Sequence, residues 1–162
     1  MRTRIERRRV LHIRHLTASG FTFIELMIAV LLVGILMAIA MPYYGDWRNR
    51  VKNLQATSDI IGNEAVVETY LVANGRLPNS FADMPLARSI DPWGQPYAYY
   101  NIEVNGKGHA RKDHALNPLN TDYDMYSVGA DGATKAQITQ KQSVDDVIRA
   151  SNGAYVGLAS GF

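Results

Sequence analysis

The 162-residue chain contains no cysteine. That excludes a disulfide framework and any thiolate metal site, so the fold must rest on packing. Histidine is almost as scarce: beyond the first 20 residues only His109 and His114 occur, five positions apart, without the i, i+4 helix spacing that holds zinc. Ser127 lies in no strand-to-helix nucleophile elbow, and no glycine-rich loop follows a strand in the form that cradles phosphate. The adjacent acids Asp145 and Asp146 point to different faces of most elements, which argues against an acid and base dyad. The chain is not expected to be an enzyme. Positive charge is also missing where a nucleic-acid surface would need it. Residues 1–20 carry six Arg against Glu6, whereas residues 21–162 carry 11 Lys and Arg against 14 acids. The basic balance belongs to the leader, so a phosphate-binding face on the folded part is not expected.

What the sequence does have is one long apolar run. From Phe21 to Met41 the only ionisable group is Glu25. As a helix of ~1.5 Å per residue this run spans about the ~30 Å of bilayer hydrocarbon. The arginine-rich stretch before it predicts an N-in, C-out orientation. Three accounts compete. A secretory signal cut at the Ala38-x-Ala40 pattern would release a soluble product, but the run is longer than an ordinary signal core. A plain anchor explains the length and leaves Glu25 unexplained, since an acid inside a membrane helix costs roughly 2.5 to 3.5 kcal/mol. The third account takes Gly20 and Glu25 together.

The segment Ser19-Gly20-Phe21-Thr22-Phe23-Ile24-Glu25-Leu26 resembles the processing site of class III prepilins, the type IV pilins and the pseudopilins of type II secretion. The resemblance implies cleavage between Gly20 and Phe21 by a prepilin peptidase and methylation of the new amine. That amine is positive, and in a helical polymer it can meet Glu25 of a neighbouring subunit. A charge pair in low dielectric is worth several times its value in water, so it would offset the burial cost and set axial register.

Pro42 is expected to kink or locally melt the helix. The helix then resumes as an amphipathic continuation to residue 75, with Trp47, Val51, Leu54, Ile61 and Ala65 as the stripe packed on a globular head and Ile60, Val67 and Leu71 beside it. Asn74-Gly75 supplies the stop, and Pro78 prevents resumption. Beyond it, Pro96–Val104 reads as a strand running into an Asn105-Gly106 hairpin turn, with further strands at Lys107–Arg111 and Asp122–Val128. The expected fold is α+β. A basic leader (1–20) precedes a transmembrane or filament-core helix (21–41), its amphipathic continuation (42–75) and a head with a small antiparallel sheet (76–162).

In the head, Asp91-Pro92-Trp93-Gly94-Gln95-Pro96-Tyr97 and Tyr123-Asp124-Met125-Tyr126-Ser127-Val128-Gly129-Ala130-Asp131-Gly132 resemble the C-terminal signature of the major pseudopilin, the G subunit of type II secretion. This resemblance implies a structural subunit of a pseudopilus. Its partners would be further copies of itself, minor pseudopilins, the prepilin peptidase and methyltransferase, an inner-membrane platform and an assembly ATPase. It also implies calcium held by the Val128 carbonyl, Asp131, and Asp145 or Asp146. Thirteen residues separate Asp131 from Asp145, longer than the family pattern. Alternatively, these acids solvate turns and cap a helix beginning near Ser143. A surface pilus pilin and a membrane-tethered calcium-binding or adhesive module that never polymerises remain the competing functions.

Overall fold

The structure, a computed structural model, describes residues 20–86 and 88–162. It divides into two compact units, Met1–Met41 and Pro42–Phe162. All of the basic leader except Gly20 lies outside the described residues.

The long helix α1 covers Phe23–Asn74. It starts two residues later than the apolar run because Thr22 terminates it. The Thr22 hydroxyl accepts the Glu25 N–H at 3.3 Å, and the Glu25 carboxylate accepts the Thr22 N–H at 3.4 Å. This reciprocal pair is a capping box, Thr-x-x-Glu, which satisfies two of the backbone donors that a helix start leaves open. The helix passes through Pro42 without melting, continuous from Phe23 to Asn74. Proline removes one ladder hydrogen bond there, and the turns on either side carry the helix through. At the other end the stop is as expected, with Gly75 at φ +66° donating its N–H to the Leu71 carbonyl at 2.8 Å. Gly75 takes the left-handed conformation that closes a helix at no side-chain cost.

The Pro42–Phe162 unit adds a four-stranded antiparallel sheet in the order β1 (Ala98–Asn101), β2 (Tyr123–Ser127), β3 (Val147–Ala150), β4 (Tyr155–Leu158). The α+β expectation therefore holds. Residues of period two sort the sheet's faces. Tyr123, Met125 and Val147 face α1 and pack with Ala56, Ile60, Val67, Leu77, Met84 and Tyr97. Ile148 and Ala150 face away and join Leu119, Ile138 and Ala159 in a second cluster. All four residues of β3 are consequently buried.

Four local expectations are corrected. The strand that begins at Ala98 ends at Asn101, because the Asn101 side chain accepts the Val104 N–H at 3.1 Å and caps a one-turn helix, α2 (Ile102–Asn105). Asn105-Gly106 closes that turn, with Gly106 at φ +75°, so it is no hairpin. Lys107–Arg111 accordingly forms no strand, and β1 pairs directly with β2. No helix begins near Ser143: the chain turns through residues 141–145 and enters β3.

The largest correction concerns α1. Its buried residues are Ala56, Ile60, Asn63 and Val67. The stripe expected to be core faces outward: Trp47 is 59% exposed, Leu54 66% and Ile61 53%. Both faces carry apolar residues at helical spacing, and the choice between them is made by Asn63. Its amide pairs with the Arg88 backbone, donating to the carbonyl at 2.7 Å and accepting the N–H at 2.9 Å. A buried amide must find such partners, and only the face turned to the head offers them.

Candidate assembly site

At the N-terminal end Gly20 is exposed, with no atom of the described residues beyond its chain neighbours within 4 Å of the position a Cβ would take, and Phe21 is 83% exposed. Glu25 lies in the first turn of α1, held to Thr22 by the capping box. Thr22 was missed in reading the sequence, although the Thr-x-x-Glu spacing announces it. From Gly20 to Met41 every residue is exposed, and α1 is the one helix among the described residues long and apolar enough to cross a membrane.

In the Pro42–Phe162 unit the outward face of α1 is regular. Trp47, Val51, Leu54, Ser58, Ile61, Ala65, Glu68 and Val72 are all exposed and alternate at intervals of four and three. Such an alternating spacing keeps one seam of a helix facing one neighbour. Six of the eight are apolar. An apolar stripe of this length on a water-exposed helix marks a contact surface.

The four residues expected to hold calcium are placed as follows. Asp145 Oδ2 accepts the N–H groups of Ala130 and Asp131 at 2.9 and 3.1 Å. Gly129, at φ +72°, makes this possible: a Cβ there would meet the Asp145 carbonyl at 2.5 Å. Asp131 Oδ1 accepts the Ala133 N–H at 2.8 Å, and Val128 directly follows β2, just before that turn. Asp146 turns the opposite way, into the head. There its Oδ2 accepts Arg111 Nη2 at 2.6 Å and the Thr134 hydroxyl at 2.6 Å. Burial pushes the Asp146 carboxyl up to about 6, against the pull of Thr134 and Arg111. Among the described residues no three His, Cys, Asp or Glu side chains converge as a metal site. Calcium requires six to eight oxygens directed at one point, and these carboxylates are directed at amides and a guanidinium, so the arrangement does not fit the ion.

Two further head acids, Asp122 and Asp124, are engaged within the chain as well. Asp124, buried and raised above the usual carboxylate range by desolvation, accepts the Arg111 N–H at 2.6 Å and the Asn120 amide at 2.9 Å. Asp122 forms a two-pronged pair with Arg149, at 2.9 and 2.8 Å. Arg149 also reaches Glu64 on α1 at 2.7 Å and lies 4.0 Å over the Tyr123 ring. This buried arginine ties α1 to two strands, a role no sequence spacing announced. The two halves of the head signature also meet: Asp91 Oδ1 accepts the N–H groups of Trp93 and Gln95, while Oδ2 accepts the Ser127 hydroxyl at 2.5 Å. Trp93 at this turn is half-buried.

A long N-terminal helix packed on a four-stranded antiparallel sheet, with an exposed glycine before it and a glutamate capping its first turn, is a pilin-like α+β architecture. Residues 17–41 match the prokaryotic N-terminal methylation motif. The chain is 27% identical to type II secretion system core protein G of Pseudomonas aeruginosa over 135 residues, covering 70% of this chain and 84% of that protein. The core protein G of Aeromonas hydrophila matches with the same identity and coverage. A fimbrial protein of Neisseria meningitidis is 37% identical over 77 residues, 48% of this chain and 45% of that protein. No solved structure matches.

Proposed function

We propose that this protein is a structural subunit of a helical filament assembled from the inner membrane, a pseudopilus acting in type II protein secretion. The observation that carries this reading is the apolar seam of α1 beyond the membrane segment. Lipid accounts for exposed apolar residues up to Met41, but Trp47 to Val72 lie in the unit that also holds the head, where an exposed apolar stripe calls for a protein neighbour. Its spacing suits the same helix of a second copy. The core protein G relatives align over 70% of the chain and the fimbrial one over 48%, which favours the pseudopilus over a surface pilus.

In this reading a prepilin peptidase cuts after Gly20 and methylates Phe21, with the leader in the cytoplasm and the head outside. Glu25 caps its own helix before assembly. On assembly its carboxylate takes the free amine of an adjacent copy, which compensates its burial. The platform, the ATPase and minor subunits supply the work of extrusion. Two measurements test this. Mass spectrometry of the mature chain should show an N-terminus at methylated Phe21; a start at Met41 would mean a secreted soluble protein. Glu25→Ala should insert normally and form no filaments, whereas normal filaments from that variant would favour a tethered, non-polymerising module.

A further inference from the structure

The connection from β2 to β3, residues 128–146, is 19 residues without a helix or strand of its own. Excursions of that length in a compact head need internal ties. We infer that this connection is fastened by a built-in cation, the guanidinium of Arg111, in the role that the sequence suggested for a divalent metal, so that the head is indifferent to calcium.

Arg111 is 3% exposed and its partner Asp146 is fully buried. One guanidinium nitrogen reaches Asp146; the other reaches the Thr134 hydroxyl and, at 2.9 Å, the Lys135 carbonyl. The guanidinium thus joins the middle of the connection to its end, while its face lies 4.4 Å over the Tyr126 ring of β2. Adjacent bonds follow the same line. The Lys135 N–H donates to the Ser143 hydroxyl at 2.8 Å, Lys112 N–H to Ala136 O at 2.8 Å, and Ile138 N–H to Lys112 O at 3.0 Å.

A carboxylate, a hydroxyl and a carbonyl are hard oxygens of the kind a calcium ion collects, and here one planar cation collects them. A second cation at Asp146 would face a guanidinium with little water to screen the repulsion. At Asp145 it would face two amide N–H groups, whose dipoles favour an anion. Arg111 and the protein hydrogen bonds beside it therefore account for the closure.

The test uses the full chain in detergent. Heat unfolding in EDTA and in excess CaCl2 should give the same midpoint, and calorimetric titration with CaCl2 should show no saturable binding. A midpoint raised by about 5 to 10 °C in calcium, the shift a tightly bound ion would produce, overturns the inference. Arg111→Met leaves Asp146 buried without its partner and should lower the midpoint by about 10 °C in both buffers. If that variant fails to fold, Arg111→Lys, which keeps the charge and loses the fork, should still speed tryptic cutting at Lys141 about tenfold, a shift of roughly 1.4 kcal/mol in local opening. Cutting at the wild-type rate would overturn the inference.

Discussion

The two faces of α1 in the Pro42–Phe162 unit have the same spacing and opposite fates. Ala56, Ile60, Asn63 and Val67 repeat at four, three and four and are buried under the head; Leu54, Ser58, Ile61 and Ala65 repeat at four, three and four and are exposed. Periodicity therefore records that a face will be covered, not by what. The covered face differs in one respect: it presents groups, Asn63 and the neighbouring Glu64, whose partners lie in the same chain. The open face carries Trp47, Leu54 and Ile61, which need only another apolar surface.

That contrast can be broken most severely at the ion network. Arg149→Met strands Glu64 and Asp122 beside the sheet and should cost about 3 to 5 kcal/mol, read by denaturant unfolding. A cost under ~1 kcal/mol would mean that the head is held to α1 without a net contribution from this ion network.

Neighbouring isoleucines sharpen the comparison further. Ile60 is fully buried and Ile61 is 53% exposed. Ile60→Ala should destabilise the monomer by about 2 to 5 kcal/mol. Ile61→Asp should change monomer stability by no more than ~0.5 kcal/mol and yet prevent filament formation. Equal effects of the two substitutions on stability would erase the distinction between the faces.

The smallest expected effect is one of pH. Burial holds the phenols of Tyr97, Tyr99 and Tyr123 well above the ordinary tyrosine range, with Asp59 adding to the shift at Tyr97 and Asp122 at Tyr99. Because the folded value is raised, the unfolded chain loses these protons first. The stability they contribute is complete below pH ~10 and is lost as pH rises beyond it. Phenolate absorbance should show a fraction that titrates only together with unfolding; a single smooth titration of all tyrosines would contradict the burial.

Much of this was legible in the sequence, for identifiable reasons. The apolar run, the Asn74-Gly75 stop and β2 are each set by local chemistry. β3 was hidden because Val147–Ala150 is buried on both faces, which removes the alternation that marks a strand, and because Arg149 reads as a surface residue until Glu64 and Asp122 are placed around it. β4 is four residues long with a central Gly157. The hairpin at Asn105-Gly106 misled because one side chain, Asn101, caps a helical turn first. At the candidate assembly site, Gly20, Phe21 and Glu25 stand out through the resemblance of residues 19–26 to a prepilin processing site. The head acids do not, since Asp145 and Asp146 are adjacent in sequence and turn toward unlike partners.

The absence of native cysteine allows the seam to be probed with a single thiol. In Ile61→Cys the thiol should react readily with maleimide in the detergent-dispersed chain, and in filaments it should be protected and form disulfide-linked dimers on mild oxidation. Equal labelling of dispersed and assembled protein, with no dimers, would show that this face of α1 meets no other copy.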